Sequence, residues 1–69
     1  MARFTIHSSA PDGNVWALIG YTKKVMKENG VPTEDMILQV RRITSAKSYE
    51  EAKDIMQEIT DNAFEFIDD

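Results

Sequence analysis

Few residues of this chain have side chains suited to covalent chemistry, and their spacing is poor for it. His7 precedes Ser8 and Ser9, which would be a general base beside candidate nucleophiles. The surrounding segment alternates apolar and polar residues, which predicts a strand. Adjacent residues on a strand point to opposite faces, so His7 and Ser8 cannot easily form a base–nucleophile pair. We therefore interpret His7 as a surface residue of a strand.

Carboxylate pairs are the second chemical candidate. Glu50, Asp54 and Glu58 lie one helical turn apart on the outer side of a predicted helix. Exposed carboxylates are poor general acids at neutral pH, so this row is interpreted as a solvated face. With one His and no Cys, the chain has no HExxH motif and no thiolate ligands, so we expect no metal and no cofactor. No residue set combines a base, a nucleophile and an oxyanion site, and we predict a protein that is not an enzyme.

The turn Pro11-Asp12-Gly13-Asn14 is the third candidate. Pro11 fixes its own φ, Gly13 permits an unusual φ, and Asp12 or Asn14 can accept from the first free amides of a helix. The same amides could bind an anion, but no phosphate-loop motif is present and Asp12 would repel a phosphate. The spaced acids of a calcium loop are also missing. We interpret the turn as a helix start.

This turn lies within a segment that has a resemblance to known proteins. Its pattern is S-x-x-P-D-G-N followed by apolar, aromatic, Ala, two apolar residues and Gly, here Ser8, Pro11-Asp12-Gly13-Asn14 and Val15-Trp16-Ala17-Leu18-Ile19-Gly20. It resembles small proteins of unknown function from bacteriophages and bacterial conjugative elements. The resemblance covers about residues 5–30, with a looser echo in S-Y-E-E-A at 48–52. It implies an accessory protein of a mobile genetic element and assigns no activity and no site residues.

The first half of the chain predicts a strand, a turn and a helix. The strand spans Arg3–Ser8 with Phe4 and Ile6 inward, and turn formers follow. A helical period then runs from Asn14 to about Asn29, where Gly30 and Pro32 end it. Its inward face consists of Val15, Leu18, Ile19, Thr22, Val25 and Met26.

Two further helices are predicted. Thr33 is expected to cap the second, with Glu34 and Asp35 in its first turn and Arg41 and Arg42 near its end. Its apolar stripe would be Met36, Ile37, Val40 and Ile43. Ser48 and Glu51 form a capping box for the third helix, in which each side chain accepts from the other residue's amide. Its inward face would be Tyr49, Ala52, Ile55, Met56 and Ile59, and Asp61-Asn62 would end it.

Residues 63–67 fit either a strand or a continuation of the third helix, because Phe64 and Phe66 alternate around Glu65. We favour the strand, since the first strand needs a partner for its backbone groups. The predicted fold is a single α+β domain over 1–69, with three helices packed on a short two-stranded sheet in the order β-α-α-α-β. A three-helix bundle is the alternative.

One flank of the first predicted helix is a candidate interaction surface, because Trp16, Gly20, Lys23 and Lys27 share it. An indole beside a glycine and two ammonium groups could dock a peptide or stack on a base. In the structural interpretation, Trp16 instead reaches into the core, Gly20 lets a neighbouring segment approach closely, and the lysines are solvated. We favour the structural interpretation.

The charge is segregated along the chain, whose net charge is −4. Residues 1–49 carry seven basic and four acidic residues, whereas residues 50–69 carry one basic and eight acidic residues. We expect attraction between the two halves. A nucleic-acid binder would use Lys23, Lys24, Lys27, Arg41 and Arg42, and an acidic DNA mimic would use residues 50–69. The acidic total disfavours nucleic-acid binding as the main role.

Size and composition narrow the remaining classes. A chain of 69 residues buries only about 60% of the surface that its unfolded form exposes, so small domains often need extra support. Self-association is the support that remains, and a homodimer is an open alternative to a monomer. The first residues lack the apolar core of a signal peptide, and no apolar run approaches the ~20 residues that span a bilayer. We expect a cytoplasmic, non-enzymatic accessory or regulatory protein that contacts an unknown protein partner and no membrane.

Overall fold

The chain folds as β-α-α-α-β, the predicted order, and the three-helix bundle is wrong. The computed structural model describes residues 3–7, 9 and 13–67. The strands are β1 (Phe4–His7) and β2 (Phe64–Ile67), and the helices between them are α1 (Val15–Glu28), α2 (Thr33–Thr44) and α3 (Tyr49–Thr60). Ser8 of the predicted first strand, and Pro11 and Asp12 of the turn, lie outside the described residues.

The two strands pair in parallel, with Phe4 opposite Phe64 and Ile6 opposite Phe66. Parallel neighbours require a crossover connection, and here the three helices provide it. The amides of Arg3 and Phe4 both donate to the carbonyl of Ala63, at 2.7 and 2.9 Å. The Phe4 ring lies 4.8 Å from Tyr21 and 5.4 Å from Phe64 between centroids, so the strand pair is joined to α1 by aromatic packing.

Gln57 of α3 covers part of the outer edge of β2. Because Phe4 bonds to the residues that flank Phe64, the backbone groups of Phe64 itself point away from β1. The Gln57 side chain donates to the Phe64 carbonyl at 2.7 Å and accepts from the Phe64 amide at 3.1 Å. The Gln57 side chain thus makes the two hydrogen bonds to Phe64 that a neighbouring strand would otherwise make.

The starts of α1 and α3 are as predicted. The Asn14 side chain accepts from the amide of Ala17 at 3.0 Å, so the described half of the Pro-Asp-Gly-Asn turn is a helix cap. At α3, Ser48 accepts from the amide of Glu51 at 3.1 Å. The other half of the capping box is wrong by one residue, because the Glu51 carboxylate accepts from the amide of Lys47 at 3.2 Å.

The helix ends also follow the sequence, with one correction at α2. Gly30, with φ 75°, follows α1, and Asp61, with φ 57°, ends α3 in the left-handed conformation. Thr33 does not cap α2, as the carbonyl of Pro32 already accepts from Met36 at 3.0 Å. Pro32 therefore occupies the cap position without a side-chain hydrogen bond, and Thr33 becomes the first helical residue.

The core joins all five elements. Its fully buried cluster consists of Ile6, Leu18, Ile19, Ile43, Ala52, Met56 and Phe64, with Phe4, Val40, Ile55 and Phe66 packed around it. Two buried hydroxyls pair within their own helices, because Thr22 donates to the Leu18 carbonyl and Thr60 to the Met56 carbonyl. These bonds remove the cost of burying a polar group among apolar side chains.

Two residues predicted to face inward are more exposed than expected. Ile37 is 52% exposed, because it lies roughly 120° around the helix from Ile43, the buried residue of α2, with the half-buried Met36 and Val40 between them. Tyr49 is 38% exposed, and its hydroxyl donates to the carbonyl of Gly13. This bond connects the start of α3 to the start of α1.

The difference between Ile43 and Ile37 predicts a difference in stability for the same substitution. Ile43→Val removes a methylene from a site 2% exposed, and we expect it to lower the free energy of unfolding by about 0.5–1.5 kcal/mol in urea titrations. Ile37→Val on the same helix, at 52% exposure, should change it by less than ~0.5 kcal/mol. Equal losses at the two positions would show that Ile37 is buried as well.

Candidate interaction surface

The helix packing leaves one outer face open between α1 and α2. Most interhelical contacts are made by α3, which packs against both other helices, whereas α1 and α2 contact each other less. The side chains that α1 and α2 turn away from α3 therefore have no covering element among the described residues. The residues of the predicted α1 flank are all exposed, and Lys23 is the one that lines a depression shared with α2 alone.

Trp16 is on the surface, so the favoured structural interpretation is wrong for this residue. The indole is 72% exposed, the largest value among the large apolar residues that are exposed. The cause is the angular position of Trp16 relative to the buried residues of α1. With Leu18, Ile19, Thr22, Val25 and Met26 buried, Trp16 points roughly 120° away from the middle of the buried stripe.

Gly20 also does not serve the close approach that the structural interpretation assigned to it. A Cβ at this position would meet nothing within 4 Å. Lys23 and Lys27 are exposed, as predicted. The four residues thus form one solvent-facing flank, in which the missing side chain of Gly20 leaves a notch between Trp16 and Lys23.

A groove lies between this flank and α2, and we call it the α1–α2 groove. Its volume is about 280 Å³, and it is lined by Lys23, Thr33, Met36, Ile37, Val40 and Arg41. The floor is aliphatic and a cation stands on each side, Lys23 from α1 and Arg41 from α2. The structure therefore brings together Lys23, which belongs to both the predicted flank and the predicted nucleic-acid contacts, and Arg41, another of those contacts.

A second depression, the Trp16 pocket, lies at the end where α1 begins and α2 ends. Its volume is about 410 Å³, and its lining includes Trp16, Ile43, Thr44, Lys47, Tyr49 and Ala52. On α1, Trp16 of the pocket and Lys23 of the groove are seven residues apart on one helical face. On α2, Thr44 of the pocket and Arg41 of the groove are three residues apart. The Trp16 pocket and the α1–α2 groove therefore follow one another along the same pair of helices.

The cations divide into a paired and an unpaired group. Arg3 bonds Glu28 at 2.6 Å, Arg42 bonds Glu58 at 3.1 Å, and Lys53 bonds Glu50 at 2.9 Å. The Arg42–Glu58 pair is the expected attraction between the two halves of the chain, and Arg42 also donates to Gln39 at 2.7 Å. Within residues 3–7, 9 and 13–67, the cations outside such pairs are Lys23, Lys24, Lys27, Arg41 and Lys47.

The Arg3–Glu28 pair shows what pairing does to an exposed carboxylate. The hydrogen bond from Arg3, assisted by its charge, lowers the pKa of Glu28 below its ordinary value. The same hydrogen bond raises the pKa of Arg3. Both groups are solvent-exposed, so the pair orients the N-terminal segment against α1 with little effect on stability.

The candidates for covalent and metal chemistry stay apart. His7 is exposed on β1, and Glu50, Asp54 and Glu58 are exposed on α3, as predicted. In the part of the chain that the structure describes, no three His, Cys, Asp or Glu side chains converge as metal ligands would. Over the same residues, none of the helices has the length and apolar character needed to cross a bilayer.

The contribution of α2 to this face is what the sequence reasoning missed. The sequence places Ile37 in the core and gives no role to Leu38, which is 55% exposed and lines neither depression. A signal was present, since Met36, Ile37 and Leu38 span about 200° of the helix and cannot all face one core. No protein-family model, curated protein or solved structure matches this chain.

The exposure of Trp16 predicts its fluorescence. The chain has a single Trp, so the emission reports on this site alone. We expect the emission maximum of the folded protein to lie close to that of the protein unfolded in urea. Iodide should quench this fluorescence almost as strongly as that of a free tryptophan amide. Blue-shifted emission that iodide does not reach would contradict the exposed position.

Gly20 lies within α1 and Gly30 just after it, and we expect replacement by Ala to have opposite effects on stability at the two positions. Gly20→Ala adds a methyl group that meets nothing within 4 Å, so we expect a gain of about 0.5–1 kcal/mol in urea titrations from helix propensity. Gly30→Ala should destabilise, because Gly30 has φ +75°. Destabilisation by Gly20→Ala would indicate that another segment does pack there.

Proposed function

We propose that this chain is a non-enzymatic accessory or regulatory protein of a mobile genetic element, a phage or a conjugative element. It acts in the cytoplasm by binding another protein through the α1–α2 face. The observation that carries the protein-binding part is Trp16, which is 72% exposed and lines the Trp16 pocket. The mobile-element part is supported by the Ser8–Gly20 resemblance.

An exposed indole fits a protein interface better than a solvated surface. Trp has a large apolar area and is enriched among the residues that dominate binding energy. Here Ile37 and Leu38, 52% and 55% exposed, lie on the neighbouring helix. Covering Trp16 and Ile37 would remove apolar surface from water, which favours association.

Nucleic-acid binding is a second candidate, and the unpaired cations near Trp16 favour it. Lys23, Lys24, Lys27 and Arg41 lie on the same two helices as the indole. Arg42, however, is engaged by Glu58, and the groove floor is aliphatic rather than polar. The acidic-mimic variant is weaker, because Glu50 and Glu58 are themselves paired with cations of the chain.

Photo-crosslinking in cells that carry the element tests the proposal. A benzoyl-phenylalanine replaces Trp16, and the matched control places it at Asp54, an exposed residue of α3. We expect position 16 to give an adduct with one protein, position 54 to give none, and Lys23→Glu to weaken the adduct. Adducts with nucleic acid, or the same adducts from both positions, would contradict the proposal.

The mobile-element role has its own readout in the same cells. Deleting the gene should change phage yield or transfer frequency. Supplying the wild-type or the Asp54→Ala gene should restore the original yield or frequency, whereas supplying the Trp16→Ala gene should not. If Trp16→Ala also restored it, the role in the mobile element would not depend on the Trp16 surface.

A further inference from the structure

We infer that the α1–α2 groove holds an acidic amphipathic helix of the partner, with its apolar stripe on the groove floor and carboxylates on both flanks. This inference rests on the proposed protein-binding function and specifies the chemistry of the partner. It concerns the groove lined by Lys23, Ile37 and Arg41 and the adjoining Trp16 pocket.

The dimensions of the face match a helix. Trp16 and Lys27 are eleven residues apart on α1, which is about 16 Å along the axis, or three turns. A groove between two helices accepts a third in the manner by which amphipathic helices bind their receptors. The notch at Gly20, where a Cβ would meet nothing within 4 Å, allows the incoming helix to approach the α1 backbone.

The floor selects an apolar stripe. Met36, Ile37 and Val40 supply it, and Ile37 is the most exposed of the three. At the other end of the face, the Trp16 indole offers a large anchor. Apolar residues at i, i+3 or i+4, and i+7 of the partner would meet these two regions in turn.

The charges on the rims select acids. Lys23 stands on the α1 side and Arg41 on the α2 side, and neither forms an ion pair within the described ranges. Lys47 lines the adjoining Trp16 pocket, and Lys27 lies one turn beyond Lys23 on α1. The nearby acids do not cancel it, because Glu28 is held by Arg3 and Glu34, in the first turn of α2, does not line the groove.

The other occupants fit less well. A second copy related by a two-fold axis through the groove would bring Lys23 and Arg41 against the same cations, and like charges oppose association. The acidic helix of this chain, α3, is already packed in the core through Ala52 and Met56. Nucleic acid would satisfy the cations but leave the aliphatic floor without an apolar partner.

A selection experiment can determine which residue types the groove prefers in a bound helix without assuming the sequence of the partner. A display library of randomised helical peptides, about three turns long, is selected against the purified chain and counter-selected on the Lys23→Glu/Arg41→Glu variant. We expect enrichment of sequences that combine Asp or Glu with apolar residues at helical spacing. Enrichment without acids, or enrichment that survives the double substitution, would overturn the inference.

The best enriched peptide is then measured by Trp16 fluorescence. Lys23→Glu should weaken binding about tenfold or more, Asp54→Ala should leave it unchanged, and replacing only the peptide acid that faces Lys23 with Lys should restore binding to Lys23→Glu. The inference would be overturned if this charge exchange failed, or if a short DNA or RNA duplex bound more tightly than the peptide. A stable dimer of the free chain in light scattering would overturn it as well. A protein adduct at position 16 in cells would then leave the proposed function standing without this partner.

Discussion

The packing of α3 against both other helices is the constraint from which the functional argument follows. Met56 is fully buried and Ala52 nearly so, and together they hold α3 between α1 and α2. Because the inward stripes of α1 and α2 are used on that side, their opposite side is left to solvent. Trp16, Ile37 and Arg41 are all exposed to solvent on these two helices.

The parallel strand pair keeps this arrangement in place by joining the two ends of the chain. Phe4 and Phe64 face one another across the ladder, and Phe4 stacks on Tyr21 of α1. Gln57 anchors the other side of β2 to α3 through both backbone groups of Phe64. The sheet is therefore bonded to the same two helices that bury the core, and a chain this short obtains a single interior without a disulfide.

The sequence predicted the elements well because their signals are local. Asn14, Ser48 and Gly30 each act through hydrogen bonds or dihedral angles within a few residues, and all three behave as expected. The candidate site was harder, because exposure depends on which other helix covers a face. The sequence therefore places both Trp16 and Ile37 in the core, although Trp16, Gly20, Lys23 and Lys27 do share one exposed flank of α1. Pairing across the fold, such as Arg42 with Glu58, carries no local signal that names the partner.

The most direct test is solvent accessibility of side chains measured by NMR with a soluble nitroxide in the free protein. The account predicts strong broadening for the Trp16 indole and the Ile37 and Leu38 methyl groups, and protection for the methyl groups of Leu18, Ile43 and Met56. Protection of Trp16 and Ile37 at the level of Leu18 would mean that the face between α1 and α2 is closed, and it would contradict the account.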